Sequence, residues 1–250
     1  MNQKILLEIC SNSVTSALAA QEGGAIRVEL CENLHEGGTT PSYGDILLAR
    51  QLLHIKLYVL IRPRGGDFLY NDLEFNIMVA DVKHCLEVGC DGIVIGILNA
   101  DGTVDKDRCT QLVQLAKQHG AAATFHRAFD RCNDQFRAME DIIDIGFERI
   151  LTSGERTTAI EGSRRIVELI EKAAGRIIIM PGSGVNENNV ADLVHFTGAT
   201  EVHSSARVRV QSKMTYKNDH IIMRNSYGDE YSNDVTDAGR VRTILDCANK

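Results

Sequence analysis

The sequence predicts a single (β/α)8 barrel, and three observations carry that expectation. Eight apolar runs recur at a steady interval, each followed by a longer stretch of helical period. The runs are nearly continuous in apolar residues, as parallel strands covered by helices require. The length, 250 residues, is the ordinary size of one such barrel. No linker or shift in composition divides the chain, so residues 1–250 are read as one domain.

Taken in order, the strands are expected at Ile5–Ile9, Arg27–Leu30, Leu57–Ile61, Gly92–Ile97, Ala122–His126, Arg149–Thr152, Ile177–Met180 and Glu201–His203. Helices fill the intervals. Asn71 with Glu74 three residues on has the form of a capping box before Phe75, and Thr158 with Glu161 repeats it. Gly23-Gly24, Gly89, Gly120, Gly146 and Gly175 stand where helices should end. Asn186 to Phe196 reads as the seventh helix and Thr236 to Ala248 as the last. Between strand eight and that last helix, Arg207 to Val235 forms a long polar insertion whose only apolar cluster is Ile221-Ile222-Met223. It can be a lid, an oligomer contact or a mobile loop.

Composition excludes several classes. A net charge of −7 argues against nucleic-acid binding, which needs a basic face. No apolar run is long enough to span a bilayer, and Met1-Asn-Gln-Lys4 leads into Ile5 without a cleavable signal pattern. Seven scattered cysteines with no Cys-x-x-Cys suit thiols in a reducing cytoplasm.

Chemistry is expected at the C-terminal ends of the strands, where barrel enzymes keep their sites. Strands one and two close with the same pattern, Glu8-Ile-Cys10 and Glu29-Leu-Cys31. Residues two apart share a strand face, so each glutamate points the way of its cysteine. Cys10 and Cys31 are either thiolate ligands for a soft ion or small core fillers. Glu8 and Glu29 need partners in an apolar setting, and Arg62 at the end of strand three is one to hand. With His126 after strand five they form either an acid–base set or a structural ion-pair network. His203 lies on a strand too short to phase, and His35 sits in a loop that could reach the mouth. His54, His84, His119 and His195 fall on helices and read as surface or packing residues.

The seventh and eighth units suggest an anion site. Ile177–Met180 empties through Pro181 into Gly182-Ser183-Gly184, and strand eight ends in Ser204-Ser205. Such a turn is either a phosphate cradle or an ordinary strand–helix connection. Ser153 after strand six adds a hydroxyl. No Gly-x-Gly-x-x-Gly follows a strand, so an enzyme here would be an isomerase or lyase acting on a small phosphorylated or carboxylated metabolite.

Six stretches together resemble the CutC copper homeostasis family: Glu29-Leu-Cys-Glu-Asn-Leu-His-Glu-Gly-Gly-Thr-Thr-Pro-Ser42, Ile61-Arg-Pro-Arg-Gly-Gly-Asp-Phe-Leu-Tyr70, Thr124-Phe-His-Arg-Ala-Phe-Asp130, Ile150-Leu-Thr-Ser-Gly154, Met180-Pro-Gly-Ser-Gly184 and His203-Ser-Ser-Ala-Arg207. Ser183 stands where relatives often have glycine; it keeps the backbone donors and adds a hydroxyl. The resemblance implies a cytoplasmic TIM barrel that is often a homo-oligomer, a dimer or tetramer. It also implies a role in copper homeostasis, with Cu(I) ascribed in some members to the cysteines that are here Cys10 and Cys31.

Overall fold

The structure is a computed structural model that describes residues 4–218, 220–221 and 229–250. Eight parallel strands form the barrel wall: β1 (Leu6–Ser11), β2 (Arg27–Leu30), β3 (Lys56–Leu60), β4 (Gly92–Ile95), β5 (Ala122–Phe125), β6 (Arg149–Thr152), β7 (Ile178–Pro181) and β8 (Glu201–Ser204). They run in the order β7-β6-β5-β4-β3-β2-β1-β8. The two end strands, β7 and β8, pack side by side and bring the sheet close to a closed ring. The helices are α1 (Val14–Glu22), α2 (Tyr43–Leu52), α3 (Asp72–Val88), α4 (Lys106–Gln118), α5 (Gln135–Ile145), α6 (Ser163–Ala173), α7 (Val190–Thr197) and α8 (Ala238–Ala248). Each of the eight expected strands is present.

The apolar layer lies between sheet and helices. Leu7, Ile9, Val28, Leu30, Val59, Ile93, Ile95 and Phe125 are fully buried there with Met78, Leu112, Ile142 and Leu169 of the helices. Alternation along each strand sends the intervening residues into the barrel. A second, smaller cluster of Cys10, Cys31, Tyr58, Leu60 and Val94 fills the interior. Beside it lies an unusual number of buried charges: Glu8, Arg27, Glu29, Arg149 and Glu201. Register explains how they meet. Glu8 pairs with Arg27 on β2 and with His203 on β8 at the same level of the wall.

Local signals set the helix boundaries with differing success. The Asn71–Glu74 capping box is made in full and starts α3. Thr158 and Glu161 also exchange hydrogen bonds, at 2.9 and 3.3 Å. That box closes only a turn, however, and α6 begins at Ser163. Asn186 likewise heads a turn, its carbonyl accepting from Asn189 and Val190, and α7 starts at Val190. Thr236 belongs to a strand, and α8 starts after the Asp237 cap.

The segment after β8 is structured at both ends. β9 (Arg207–Gln211) and β10 (Ser232–Thr236) form an antiparallel ladder. It is tied to the start of α1, where Asn12 donates to the Asp234 carbonyl at 2.9 Å and Thr236 N–H donates to Ser16 Oγ at 3.1 Å. Ile221 is exposed; Ile222 and Met223 of the expected apolar cluster lie outside the described residues.

One glycine in the β6–α6 connection is required by close backbone approach. A Cβ on Gly162 would fall 1.9 Å from the Ser153 carbonyl oxygen and 2.8 Å from that of Gly154. Both contacts are backbone, so neither can swing away. Gly162→Ala is expected to cost roughly 2–3 kcal/mol, a fall in Tm of about 5–10 °C for a chain of this size. A thermal melt within about 2 °C of wild type would show that the loop can shift aside.

Candidate functional site

The mouth of the barrel holds a cavity of about 110 Å³ whose walls include Cys10, Glu29, Cys31, Arg62, His126 and His203. A wider groove of about 420 Å³ lies outside the barrel between α2 and α3, against Tyr43 and His84. It gathers no set of reactive groups, so the mouth is where chemistry concentrates.

The thiols come first. Cys10 and Cys31 follow the glutamates on the interior face of β1 and just past β2, and their sulfurs stand 3.5 Å apart. Both are nearly or fully buried, and Cys31 also faces the Ser11 carbonyl at 3.7 Å. The Cys31 sulfur and burial together hold the Cys10 thiol well above its ordinary value.

The carboxylates surround an imidazole. His203 Nδ1 lies 2.7 Å from Glu8 Oε1, and its Nε2 lies 3.4 Å from Glu29 Oε2. Burial would lower the His203 imidazole, yet bonds to Cys10 and Glu8 and the Glu29 charge carry it well above its usual range. For Glu8, burial works upward, but Arg27 and then His203 hold the carboxyl well below the carboxylate range. Glu29 has no arginine of its own, and burial pushes it up to about 7 against the His203 charge.

Below this level Arg27 bridges two acids. Its Nε donates to Glu8, and its Nη2 lies 2.5 Å from Glu201 Oε2. Arg149 meets the same Glu201 oxygen at 3.3 Å and donates to Tyr58 Oη at 3.1 Å. Both guanidinium groups lie over the Tyr58 ring, at 5.1 and 5.3 Å from its centroid. The interior is thus a connected ion-pair network, with every described member satisfied.

Arg62 is not the partner of either glutamate. It lies two residues past β3, where the loops after β2 and β3 wrap round it. Its guanidinium donates to the carbonyls of Glu36 (2.8 Å), Gly38 (2.7 Å) and Gly66 (2.8 Å) and lies over Phe68. Its positive charge therefore reaches the cavity already tied to backbone. His126 caps the 3-10 turn Arg127–Arg131, with Nδ1 accepting from Ala128 N–H at 3.1 Å. Burial, then the Arg62 charge, push it down to about 3, so it is neutral. Its Nε2 is buried with no partner among the described residues.

The expected anion residues are brought together but are heavily engaged. Ser153 N–H and Oγ donate to Asp130, at 3.0 Å each, as do Thr152 Oγ1 at 2.5 Å and Glu155 N–H at 3.3 Å. An internal carboxylate occupies that turn. Ser183 takes a left-handed backbone (φ 81°) and donates to the Thr157 carbonyl at 2.8 Å. Gly182 N–H bonds to the Thr152 carbonyl, and the Gly184 carbonyl accepts from Asn186 and Asn189. Ser204 Oγ donates to the Val185 carbonyl at 2.7 Å, which holds the ends of β7 and β8 together. Ser205 Oγ accepts from Arg207 at 3.2 Å.

Of the remaining histidines, His35 is exposed in the 3-10 turn Leu34–Glu36, and His54, His119 and His195 are exposed away from the cavity wall. His84 stacks on Tyr43 at 4.2 Å. Sequence reasoning missed Arg27, Arg149, Glu201 and Asp130. A signal was present for the first three: each opens a strand with a charge in phase with that strand's interior residues.

Comparison with known proteins follows the same lines. The profile of the CutC family matches residues 5–208. The chain is 49% identical over 245 residues to a CutC family protein of Chromobacterium violaceum, covering 98% of each. It is 46% identical over 240 residues to the copper homeostasis protein CutC homologue of Homo sapiens, covering 96% of this chain and 87% of that one. A crystal structure of the CutC protein from Streptococcus agalactiae superposes with a TM-score of 0.76 at 39% identity, covering 80% of this chain and 98% of that one. A deoxyribose phosphate aldolase from Aeropyrum pernix, 16% identical with a TM-score of 0.60 over 81% of this chain and 86% of that one, shares the barrel fold. No helix among the described residues is long and apolar enough to cross a membrane.

Proposed function

The chain belongs to the CutC family, and from that premise we propose that it binds Cu(I) as cargo at the thiols of Cys10 and Cys31, as part of copper homeostasis in the cytoplasm. The observation that carries this reading is the 3.5 Å separation of the two sulfurs in the wall of the mouth cavity. Thiolates suit soft ions. With metal–sulfur bonds of about 2.3 Å, two sulfurs on one ion stand roughly 3.8 Å apart at a tetrahedral angle and about 4.6 Å apart in line. The pair therefore needs to open only slightly to hold a bent or three-coordinate ion. Buried thiols in a cavity of this size also keep such an ion from bulk water.

All seven cysteines are free, in keeping with a reducing compartment. Leu48 and Leu52 of α2 and Leu73 and Ile77 of α3 are exposed, an apolar outer face that a second copy in a dimer or tetramer would cover. The test of the copper reading is an anaerobic Cu(I) titration against a competing chelator, on wild type and on the Cys10→Ser/Cys31→Ser variant. About one ion per chain is expected, with affinity lower by roughly 100-fold or more in the variant. Equal affinity in the two proteins would remove the thiols from the site.

A second reading is favoured by one observation, the buried and unpartnered Nε2 of His126 beside the Arg62 charge. On this reading the mouth is an isomerase or lyase site. Glu8, Glu29 and His126 exchange protons with a small phosphorylated or carboxylated metabolite, and Arg62 stabilises developing negative charge. The anion of that metabolite would rest against Gly182-Ser183-Gly184 and Ser205, since Asp130 already holds the Ser153 turn and Ser204 Oγ donates to the Val185 carbonyl. Full activity of Glu29→Gln on such a substrate would sink the acid–base assignment.

A further inference from the structure

The copper reading uses only the two thiols and leaves the best-built feature of the mouth without a purpose. One sulfur, one carboxylate oxygen and one imidazole nitrogen, from Cys10, Glu29 and His203, all lie within 4.8 Å of one another. They come from three adjacent strands, β1, β2 and β8, whose register sets them at the top of one wall.

We propose that Cys10, Glu29 and His203 form a three-donor site for a borderline divalent ion of the zinc class, with its fourth position open to the mouth cavity. Four features support it. The donor set is mixed sulfur, oxygen and nitrogen, which is the ligand chemistry of zinc rather than of a purely soft ion. The spacing fits: nitrogen and oxygen donors at about 2.1 Å from a tetrahedral ion are roughly 3.4 Å apart, and His203 Nε2 stands 3.4 Å from Glu29 Oε2. The imidazole is aimed from behind, because its Nδ1 is bonded to Glu8 at 2.7 Å. A carboxylate on the far nitrogen is what orients ligating histidines, and the ion takes the place of the protons that Nε2 and the Cys10 thiol otherwise carry. Finally, Glu8 is itself held by Arg27, which is anchored to Glu201, so the ring cannot turn without breaking a buried network.

Cys31 stands outside this set. Its sulfur is 3.5 Å from Cys10 but is not part of the three-donor group. The two sites thus share Cys10 alone, and the zinc-class site goes beyond the copper reading. Three protein donors with one open position is the arrangement of zinc sites that activate a water or polarise a bound oxygen. The cavity supplies space for that fourth ligand, with Arg62 and His126 on its other walls.

Co(II) tests the proposal, because its visible spectrum reports ligand type and coordination number. Anaerobic titration of wild type is expected to give one Co(II) per chain, with a thiolate charge-transfer band and intense tetrahedral d–d bands, and Zn(II) should displace it. Glu29→Gln and His203→Gln should each weaken Co(II) by about 10-fold or more, and Glu8→Gln by roughly 10–100-fold. Cys31→Ser should keep the thiolate charge-transfer band and the one-to-one stoichiometry. No charge-transfer band in wild type, or an unchanged spectrum in Glu29→Gln, would overturn the site. Loss of Co(II) in Cys31→Ser would overturn it too, by placing the ion on the thiol pair. Glu29→Gln is close to isosteric and decides alone if His203→Gln does not fold. Co(II) binding without Cu(I) binding would sink the copper reading and leave this one standing; the reverse result would do the opposite.

Discussion

Arg27→Met is expected to cost the folded protein about 3–5 kcal/mol, the usual penalty for removing one partner from a buried ion pair. Arg27 is 4% exposed and lies between Glu8 at 1% and Glu201 at 5%. Methionine fills much of the same volume but leaves Glu8 with His203 alone as a charge partner in a dry interior. Arg149 still reaches Glu201, at 3.3 Å, so the deficit falls mainly on Glu8. For a chain of this length the loss corresponds to a drop in Tm of roughly 10 °C or more. Arg27→Lys should fall between wild type and Arg27→Met, because an ammonium is a single point of charge and cannot span both acids in one plane. The double variant Glu8→Gln/Arg27→Met should recover part of the loss, since it removes the stranded charge with the cation. A thermal melt of Arg27→Met that matches wild type would mean the network contributes nothing to stability.

The second large effect is one of pH. His126 is buried and neutral, with its pKa pushed from 6.5 to about 3 by burial and the Arg62 charge. In the unfolded chain the imidazole takes up a proton as pH falls below 6.5, while in the folded protein it does not until about 3. The unfolded state therefore gains protons first, and stability present above pH 6.5 is lost as pH falls toward 3. The slope contributed by this one residue approaches 1.4 kcal/mol per pH unit, or about 3 kcal/mol between pH 6.5 and 4. His126→Asn isolates it. Asparagine keeps an oxygen acceptor for the Ala128 N–H and is itself a good cap, but does not titrate. Denaturant unfolding at pH 7, 5.5 and 4 should show wild type losing ground to the variant by roughly that amount. Parallel pH curves for the two proteins would show that His126 does not carry the acid sensitivity.

The two predictions concern residues that sequence reasoning treated differently. His126 stood at the end of an apolar run, in a long motif shared with the family, and its place in the mouth was legible. Arg27 was passed over. It opens a strand, where a charge usually marks the boundary of the element and a turn to solvent. Only its phase with Glu29, two residues on, hinted that it points into the barrel. Arg149 and Glu201 were hidden in the same way, each the first residue of a strand that is buried from end to end. Arg62 was misjudged for a related reason. A cation near two acids on a linear chain is an obvious partner, yet the loops after β2 and β3 offer three carbonyls at shorter reach.

By itself the sequence determined the eight strand–helix units, the parallel sheet and the family. It also placed a glutamate and a cysteine together at two neighbouring strand ends. Each of these is a local property: hydrophobic period, caps and motifs act over a few residues and survive in any fold that uses them. Only the tertiary structure decided which of those residues meet. The stagger of strands around a barrel sets the level at which each side chain enters the interior. That stagger is what puts His203 between Glu8 and Glu29, Cys31 against Cys10, and Asp130 in the turn after β6. Such meetings join residues as far apart as β1 and β8. They depend on the closure of the whole ring, which no window of the sequence contains.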